Sequence, residues 1–262
     1  MTTAVHRKHR PDAPEGFFAC EAAGLRWLVV PGGPRIARVL GVDAGGLDLE
    51  LVVTAAPTAA AAAALGSRLA RLHDAGAPAF GSPPAGWQGP CWFGPLELPL
   101  PLPTGVRDRW GPFYADLRLA QVVDALAARR ALPDEVRADL DRVRDRLRAG
   151  DWDDDDRPAR LHGDLWSGNV LWTDDEAVLI DPAAHGGHRL TDLAMLHLFG
   201  LPHLVDVVAG YQEERPLPRH WRELLPLHQL YPVGVHAVLF GGAYHAQLAQ
   251  LAGRQATAPA LS

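Results

Sequence analysis

Cysteine is scarce in this chain, with 2 residues among 262. Two thiols make no disulfide framework and no cysteine metal site. Cys20 and Cys91 are each expected to pack as small buried hydrophobes, a redox-sensitive thiol being the alternative. Apolar runs long enough to cross a bilayer are missing, and residues 1–7 lack the apolar core of a signal peptide. Excess basic charge is missing as well: 25 Lys and Arg face 31 Asp and Glu, for a formal net charge of −6. That balance supplies no attractive field for nucleic acid or an acidic membrane surface. No internal repeat is present. The expectation is a cytoplasmic globular protein, a monomer or weak dimer, with neither nucleic acid nor membrane as partner.

What is present is concentrated between residues 161 and 181, LHGDLWSGNVLWTDDEAVLID. A phosphoryl group in flight carries charge that metal must neutralise, and the attacking hydroxyl needs an acceptor for its proton. Asp164, at the apex of a loop, can take that proton. Asn169, five residues on, and Asp181 offer the hard oxygens that Mg²⁺ prefers. Residues 170–172 and 177–180 read as short strands around the polar connection 173–176, so a hairpin should return Asp181 to Asn169. His-Gly-Asp alone is a weak signal. Joined to Asn169, the hairpin and Asp181 it is a strong one.

The rest of the chain suggests two lobes. Residues 4–8 alternate weakly, as an edge strand does. Phe18, Ala22, Leu25 and Leu28 share one face of a helix over 15–30. Strands follow at 36–40 and 47–53 around the turn 43–46. From Thr58 the pattern is helical, with an amphipathic segment ending near Gly76. Residues 76–112 are rich in proline and glycine and predict a long irregular crossing. Helical spacing resumes over 113–130 and 136–147. Asp153 to Asp156 read as a solvated linker, because four adjacent carboxylates repel one another. Further helices are expected over 190–199, 204–211, 221–230 and 235–251. The layout is α+β: a protein-kinase-like two-lobed fold with a small mixed lobe over 1–55 and a mainly helical lobe over 56–262.

HGDLWSGNV, then Leu179-Ile180-Asp181-Pro182-Ala183, then Asp192-Leu193-Ala194-Met195 resembles the fructosamine kinase family. That family, the fructosamine 3-kinases and ketosamine 3-kinases, sits within the wider aminoglycoside-phosphotransferase and choline-kinase-like group. Tyr211, Tyr231, His236 and Phe240-Gly241-Gly242-Ala243-Tyr244 are similar to it too. The resemblance runs from about residue 5 to 252 and is patchy between 76 and 110.

The resemblance implies ATP and Mg²⁺ as cofactors. It implies Asp164 as catalytic base, and Asn169 and Asp181 as metal ligands. Lys8, paired to Glu21 on the following helix, would steady the α- and β-phosphates, and Glu50 to Val52 would be the hinge whose backbone meets adenine. His162 belongs to the signature as a structural residue, and Asp192 would brace the loop. Trp166 and His236 are placed nearest the sugar, with Trp166 stacking or packing the loop and His236 satisfied within its own helix.

Two departures stand out. The chain begins seven residues before Lys8, without the glycine-bearing hairpin that covers phosphate in this group, so the small lobe is expected to be truncated. Residues 183–190 also differ from the family pattern, which bears on acceptor preference and not on the metal site. The expected reaction is ATP-dependent phosphorylation of a ketosamine, small or protein-bound, serving deglycation. A kinase for an aminoglycoside or choline-like amine, and a non-catalytic kinase-like binding protein, are the alternatives.

Overall fold

The computed structural model describes residues 4–260. Its small lobe comprises β1 (Val5–His9), α1 (Phe17–Leu28), β2 (Arg35–Ile36), β3 (Val39–Asp43) and β4 (Gly46–Glu50). Then come α2 (Ala59–Asp74), β5 (Trp92–Phe93), β6 (Leu100–Pro101), α3 (Trp110–Phe113), α4 (Ala120–Ala128) and α5 (Asp134–Ala149). Next are β7 (Ala159–Leu161), β8 (Val170–Trp172), β9 (Ala177–Leu179) and β10 (His185–Gly187). Four helices close the chain: α6 (Leu190–Phe199), α7 (Leu204–Glu214), α8 (Trp221–Phe240) and α9 (Ala243–Thr257).

Strand alternation in the small lobe aims the side chains that matter. β4 lies between β1 and β3, with Arg7 opposite Asp48 and Lys8 opposite Leu47. Successive residues of a strand face opposite sides. Arg7 therefore reaches Asp43 and Asp48 on the outer face, while Lys8 turns under the sheet to Glu21 of α1. The predicted helical face is found, since Phe18, Ala22, Leu25 and Leu28 are all buried. The predicted strand over 36–40 is split in two. Residues 35 and 36 pair in parallel with β9 of the catalytic hairpin, and residue 39 begins the pairing with β4. Such a change of sheet depends on a partner more than a hundred residues away, which local periodicity does not report.

In the helical lobe, Thr58 caps α2 by accepting from the Ala61 N–H at 3.1 Å. The helix then meets α7 almost backbone to backbone. A Cβ on Gly66 would lie 1.9 Å from the Val207 carbonyl oxygen, and one on Gly210 would lie 2.0 Å from that of Ala63. Gly66→Ala is expected to cost about 3 kcal/mol through this overpacking, measured as a fall in melting temperature. Gly253→Ala, whose methyl group would meet only the Asp139 carboxylate at 3.3 Å, should shift stability by less than about 1 kcal/mol.

Three readings of the sequence need correction. First, α8 does not stop near Pro232 but runs on to Phe240. Proline there leaves the His228 carbonyl without its helical donor. The buried Tyr114 hydroxyl replaces it, donating to His228 at 2.8 Å while accepting from the Tyr231 N–H at 3.0 Å. The break falls instead at Gly241 and Gly242, both at positive φ. Second, the segment Tyr114–Leu119, between α3 and α4, is a π-helical turn, where an ordinary α-helix was expected. Third, Asp153 to Asp156 link α5 to β7 as expected, but three of the four carboxylates are paired instead of merely solvated. Asp153 pairs with Arg109 at 2.5 Å and Asp154 with His188 at 3.1 Å, while Asp156 holds both Arg189 and Arg215. Adjacent carboxylates do point in different directions, but here three of them meet a distant basic side chain.

Candidate active site

The loop 162–169 is shaped by hydrogen bonds that the motif supplies to itself and to its neighbours. Gly163 sits at φ 82°, where a Cβ would lie 2.2 Å from the Ala183 carbonyl oxygen, so no larger residue fits. The Asp192 carboxylate, wholly buried on α6, accepts from the His162 N–H at 2.8 Å and the Gly163 N–H at 2.9 Å. It also meets His73 Nε2 at 3.2 Å, and His73 Nδ1 in turn meets the Tyr211 hydroxyl at 2.9 Å. Burial by itself would raise the Asp192 pKa. The hydrogen bond and charge of His73, with those of the loop, outweigh burial and hold it below the usual carboxylate range.

His162 links the loop to the hairpin. Its Nε2–H donates to the Ile180 carbonyl at 2.9 Å, and Nδ1 accepts the Asp164 N–H at 3.3 Å. Both bonds suit one neutral tautomer, and burial keeps the ring neutral by lowering its pKa.

Five polar side chains converge from here. Asn169 Nδ2 donates to the Asp164 carbonyl at 2.8 Å, to Asp164 Oδ2 at 3.1 Å and to the Asp181 carbonyl at 3.4 Å. The Ile180 N–H to Asn169 carbonyl bond of 3.1 Å is the hairpin closure expected from sequence. Asp181 adopts φ 55°, a left-handed conformation that aspartate tolerates better than most residues. Its Oδ1 lies 3.1 Å from Lys8 Nζ, which also reaches both Glu21 carboxylate oxygens at 2.8 Å. Desolvation lowers the Lys8 pKa, but Glu21 and Asp181 together raise it above the usual lysine value, so the ammonium stays charged. Asp164 shows the opposite balance. Burial, reinforced by the nearby Asp181 and Asp192 charges, pushes it up to about 7 against the Asn169 hydrogen bond.

These groups line one cavity of about 590 Å³, together with Trp166 and His236. Its far wall is aromatic, formed by Trp92, Phe93, Phe199, Phe240 and Tyr244. The His236 ring is tilted against Phe199, with centroids 4.7 Å apart, and against Tyr244, at 5.0 Å, and its Nδ1 donates to the Pro232 carbonyl at 2.7 Å. Trp166 stands edge-on to Phe199, is 40% exposed and is part of the cavity lining. Glu50 and Val52 lie outside this lining. Glu50 spends its carboxylate on Arg35, at 3.1 Å, and on the Arg38 N–H.

Sequence reasoning missed Trp92, Phe93 and Leu96, which reach the cavity from the proline-rich crossing. Their one local signal is Trp-Phe flanked by glycines, which says nothing about where the loop folds. It missed the bracing role of His73 too. A signal for the polar groups was present in the composition. Lys8 is the only lysine of this chain and Asn169 its only asparagine; every other residue among the 25 Lys and Arg is arginine.

A family model for fructosamine kinase matches residues 4–257 of the 262. The chain belongs to the fructosamine kinase family. It is 35% identical to a probable ketoamine kinase of Synechocystis, over 90% of this chain and 77% of that one. Among solved structures it is similar to a candidate fructosamine-3-kinase from Thermobifida fusca, with 45% identity and a TM-score of 0.87 over 97% of this chain and 85% of that one. A choline/ethanolamine kinase family protein from Mesorhizobium loti shares the fold alone, at 14% identity and a TM-score of 0.57 over 96% of this chain and 81% of that one. This fructosamine kinase family member therefore has the two-lobed, protein-kinase-like fold and is a phosphotransferase acting on a hydroxyl group.

Proposed function

We propose that this chain transfers the γ-phosphate of ATP to a ring or chain hydroxyl of a ketosamine, a sugar joined to an amine by glycation. The observation that carries the reading is compositional and spatial at once. A sequence that otherwise uses arginine for every basic side chain but histidine, and no other asparagine, places its one lysine and one asparagine within the same cavity. Arginine would present a broad planar fork where a compact ammonium sits between Glu21 and Asp181.

Asp164 is the base in this reading. A carboxylate with a pKa near 7 accepts a hydroxyl proton more readily than one near 4, and a substantial share of it, about half, is ionised at neutral pH. Lys8, held by Glu21, steadies the phosphates. Mg²⁺ fits the donor set, because among the described residues every side-chain hydrogen bond of Asn169 leaves from Nδ2. Its Oδ1 and the Asp181 carboxylate remain as hard ligands. Bound there, the metal would offset charge on the phosphates. Asp154, Asp156 and His188 also bring ligand atoms within 4.8 Å of one another, but Arg189 and Arg215 already occupy both Asp156 oxygens. In the proposed division of labour, residues 1–55 hold nucleotide, with Glu50 to Val52 beside the adenine, and residues 56–262 hold the acceptor.

The aromatic wall suits a sugar's C–H face. His236, with Nδ1–H committed to Pro232, has only Nε2 left, as an acceptor for a hydroxyl or amine donor. Phosphorylation would destabilise the glycation adduct and so serve deglycation. The test is an acceptor panel with ATP. Fructosamine and ribulosamine should drive ADP formation and yield a phosphorylated product by mass spectrometry, while free fructose, choline and kanamycin should not. Turnover confined to kanamycin or choline would overturn the acceptor assignment.

A further inference from the structure

The turn at residues 94–98 belongs to the proline-rich crossing and is lightly held. β5 and β6, on either side of it, span two residues each, with Trp92 opposite Pro101 and Phe93 opposite Leu100. Proline has no N–H to give to such a ladder. The base of the hairpin is tied to the helical lobe. Gln121 Nε2 donates to the Pro101 carbonyl, and Arg118 Nη1 donates to the Pro103 carbonyl at 2.7 Å. The tip is closed by the Leu98 N–H, which donates to the Pro95 carbonyl at 3.0 Å, and Glu97 and Leu98 there are exposed. A segment with so few backbone bonds opens at low cost. Leu96 and Glu97 nevertheless form part of the cavity lining.

The tip is anchored from the other lobe. The pairing of β1 runs one residue further, through the Arg10 N–H to the Gly45 carbonyl at 3.0 Å. Lys8 and Arg10, two apart on this extended run, leave it from the same face. Lys8 goes to Glu21 and Asp181, whereas the Arg10 guanidinium donates to the Leu96 carbonyl. Among the described residues this is the one hydrogen bond that joins residues 94–98 to another part of the chain. The guanidinium also keeps an exposed partner, Asp12, at 3.1 Å. α1 bears on the same hairpin near its base. The Phe17 and Trp92 ring centroids lie 6.4 Å apart, and a Cβ on Gly16 would come within 3.2 Å of the Pro90 ring.

We propose that Arg10 is a positioning residue of the acceptor site. Through the Leu96 carbonyl it fixes the cavity-lining turn to the strand that carries Lys8, so that nucleotide and acceptor each strengthen binding of the other. Nucleotide steadied by Lys8 holds β1 in place, and β1 through Arg10 holds the turn against which an acceptor packs. The ordering of strand and turn is then shared by both ligands. Linkage makes the effect reciprocal: acceptor tightens nucleotide by the same factor as nucleotide tightens acceptor. The anchoring of the turn by Arg10 is independent of the chemistry, whereas the coupling rests on the phosphotransfer reading above.

The experiment compares the full chain with Arg10→Met (or Arg10→Gln should that fold poorly), Arg10→Lys and Asp12→Asn. Hydrogen exchange over residues 90–98 is followed in the free protein and with Mg²⁺ and AMP-PNP, a non-transferable ATP analogue. Exchange in the free protein should be about fivefold faster in Arg10→Met than in wild type, and nucleotide should slow it in wild type alone. A free fructosamine should lower the Kd of wild type for AMP-PNP by about fivefold or more, and that of Arg10→Met by less than about twofold.

Turnover supplies the second readout. Arg10→Met should raise KM for the fructosamine about tenfold with kcat changed less than about threefold, as loss of one charged hydrogen bond used for positioning allows. Arg10→Lys keeps a donor for Leu96 and should recover most of that KM. Asp12→Asn removes only the exposed partner of the same guanidinium and should match wild type. Unchanged exchange over 90–98 in Arg10→Met, or a fall in its kcat with KM unchanged, would overturn the proposal. So would a wild type that phosphorylates fructosamine yet binds AMP-PNP equally well with and without it. Wild type that phosphorylates no fructosamine would count against the kinase reading alone, because exchange over 90–98 still decides whether Arg10 holds the turn.

Discussion

Asp164→Asn is expected to lower kcat by about 10²–10⁴-fold, the range that a positioned general base contributes. The affinity for ATP should change far less, since Lys8 and Glu21 grip one another without Asp164. The pH dependence carries the stronger signature. With a pKa pushed up to about 7, Asp164 is protonated below neutrality and cannot accept a proton. Wild-type kcat/KM should therefore fall about tenfold per pH unit on the acid side of 7, and the residual activity of the variant should lack that limb. Stability should move the other way. A carboxyl whose pKa is raised on folding contributes stability that is present below pH 4 and lost as pH climbs through 7. Asn does not titrate, so the melting temperature of the variant relative to wild type should rise by a few degrees between pH 5 and pH 8. A wild-type profile flat from pH 5.5 to 8, or unchanged kcat in Asp164→Asn, would remove Asp164 from the proposed role.

Asp192→Ala should be the most damaging substitution away from the cavity. The carboxylate is fully buried and satisfies the His162 and Gly163 amides as well as His73. Its removal leaves three buried donors without an acceptor, at a cost of about 3–5 kcal/mol. For a chain of this size that corresponds to a fall of about 10 °C in melting temperature. Because the loop it holds carries Asp164, turnover should also fall by about 10²-fold even where the protein remains folded. The Asp192 pKa is held down in the folded state, so its contribution is present above pH 4 and lost as pH falls below that. The stability gap between wild type and variant should accordingly narrow in acid. A variant within 1 °C of wild type would show that the His73–Asp192 arrangement braces nothing.

Legibility from sequence differed by residue and for physical reasons. Asp164, Asn169 and Asp181 could be read because the loop and hairpin that join them span only eighteen positions, and a short hairpin returns its ends to one place. α1 was readable because it buries one regular stripe, formed by Phe18, Ala22, Leu25 and Leu28. Lys8 and Glu21 could be paired because the family resemblance implies that pair, and the strand-then-helix order is consistent with it. Trp92 and Phe93 could not be placed, because a proline- and glycine-rich crossing without periodicity does not say which surface it returns to. The continuation of α8 past Pro232 was hidden for a similar reason: the donor that makes it tolerable is the Tyr114 hydroxyl, from another helix.

The sequence by itself determined which groups are available, two carboxylates and an amide at fixed spacing and a single lysine. Scarcity of cysteine determined only that no disulfide framework exists. Tertiary structure decided that Asp153, Asp154 and Asp156 meet basic side chains from distant segments, and that aromatic side chains line the same cavity as Asp164. Each of those depends on contacts between segments far apart in the chain, where burial and charge pairing act across space and local spacing carries no record of them.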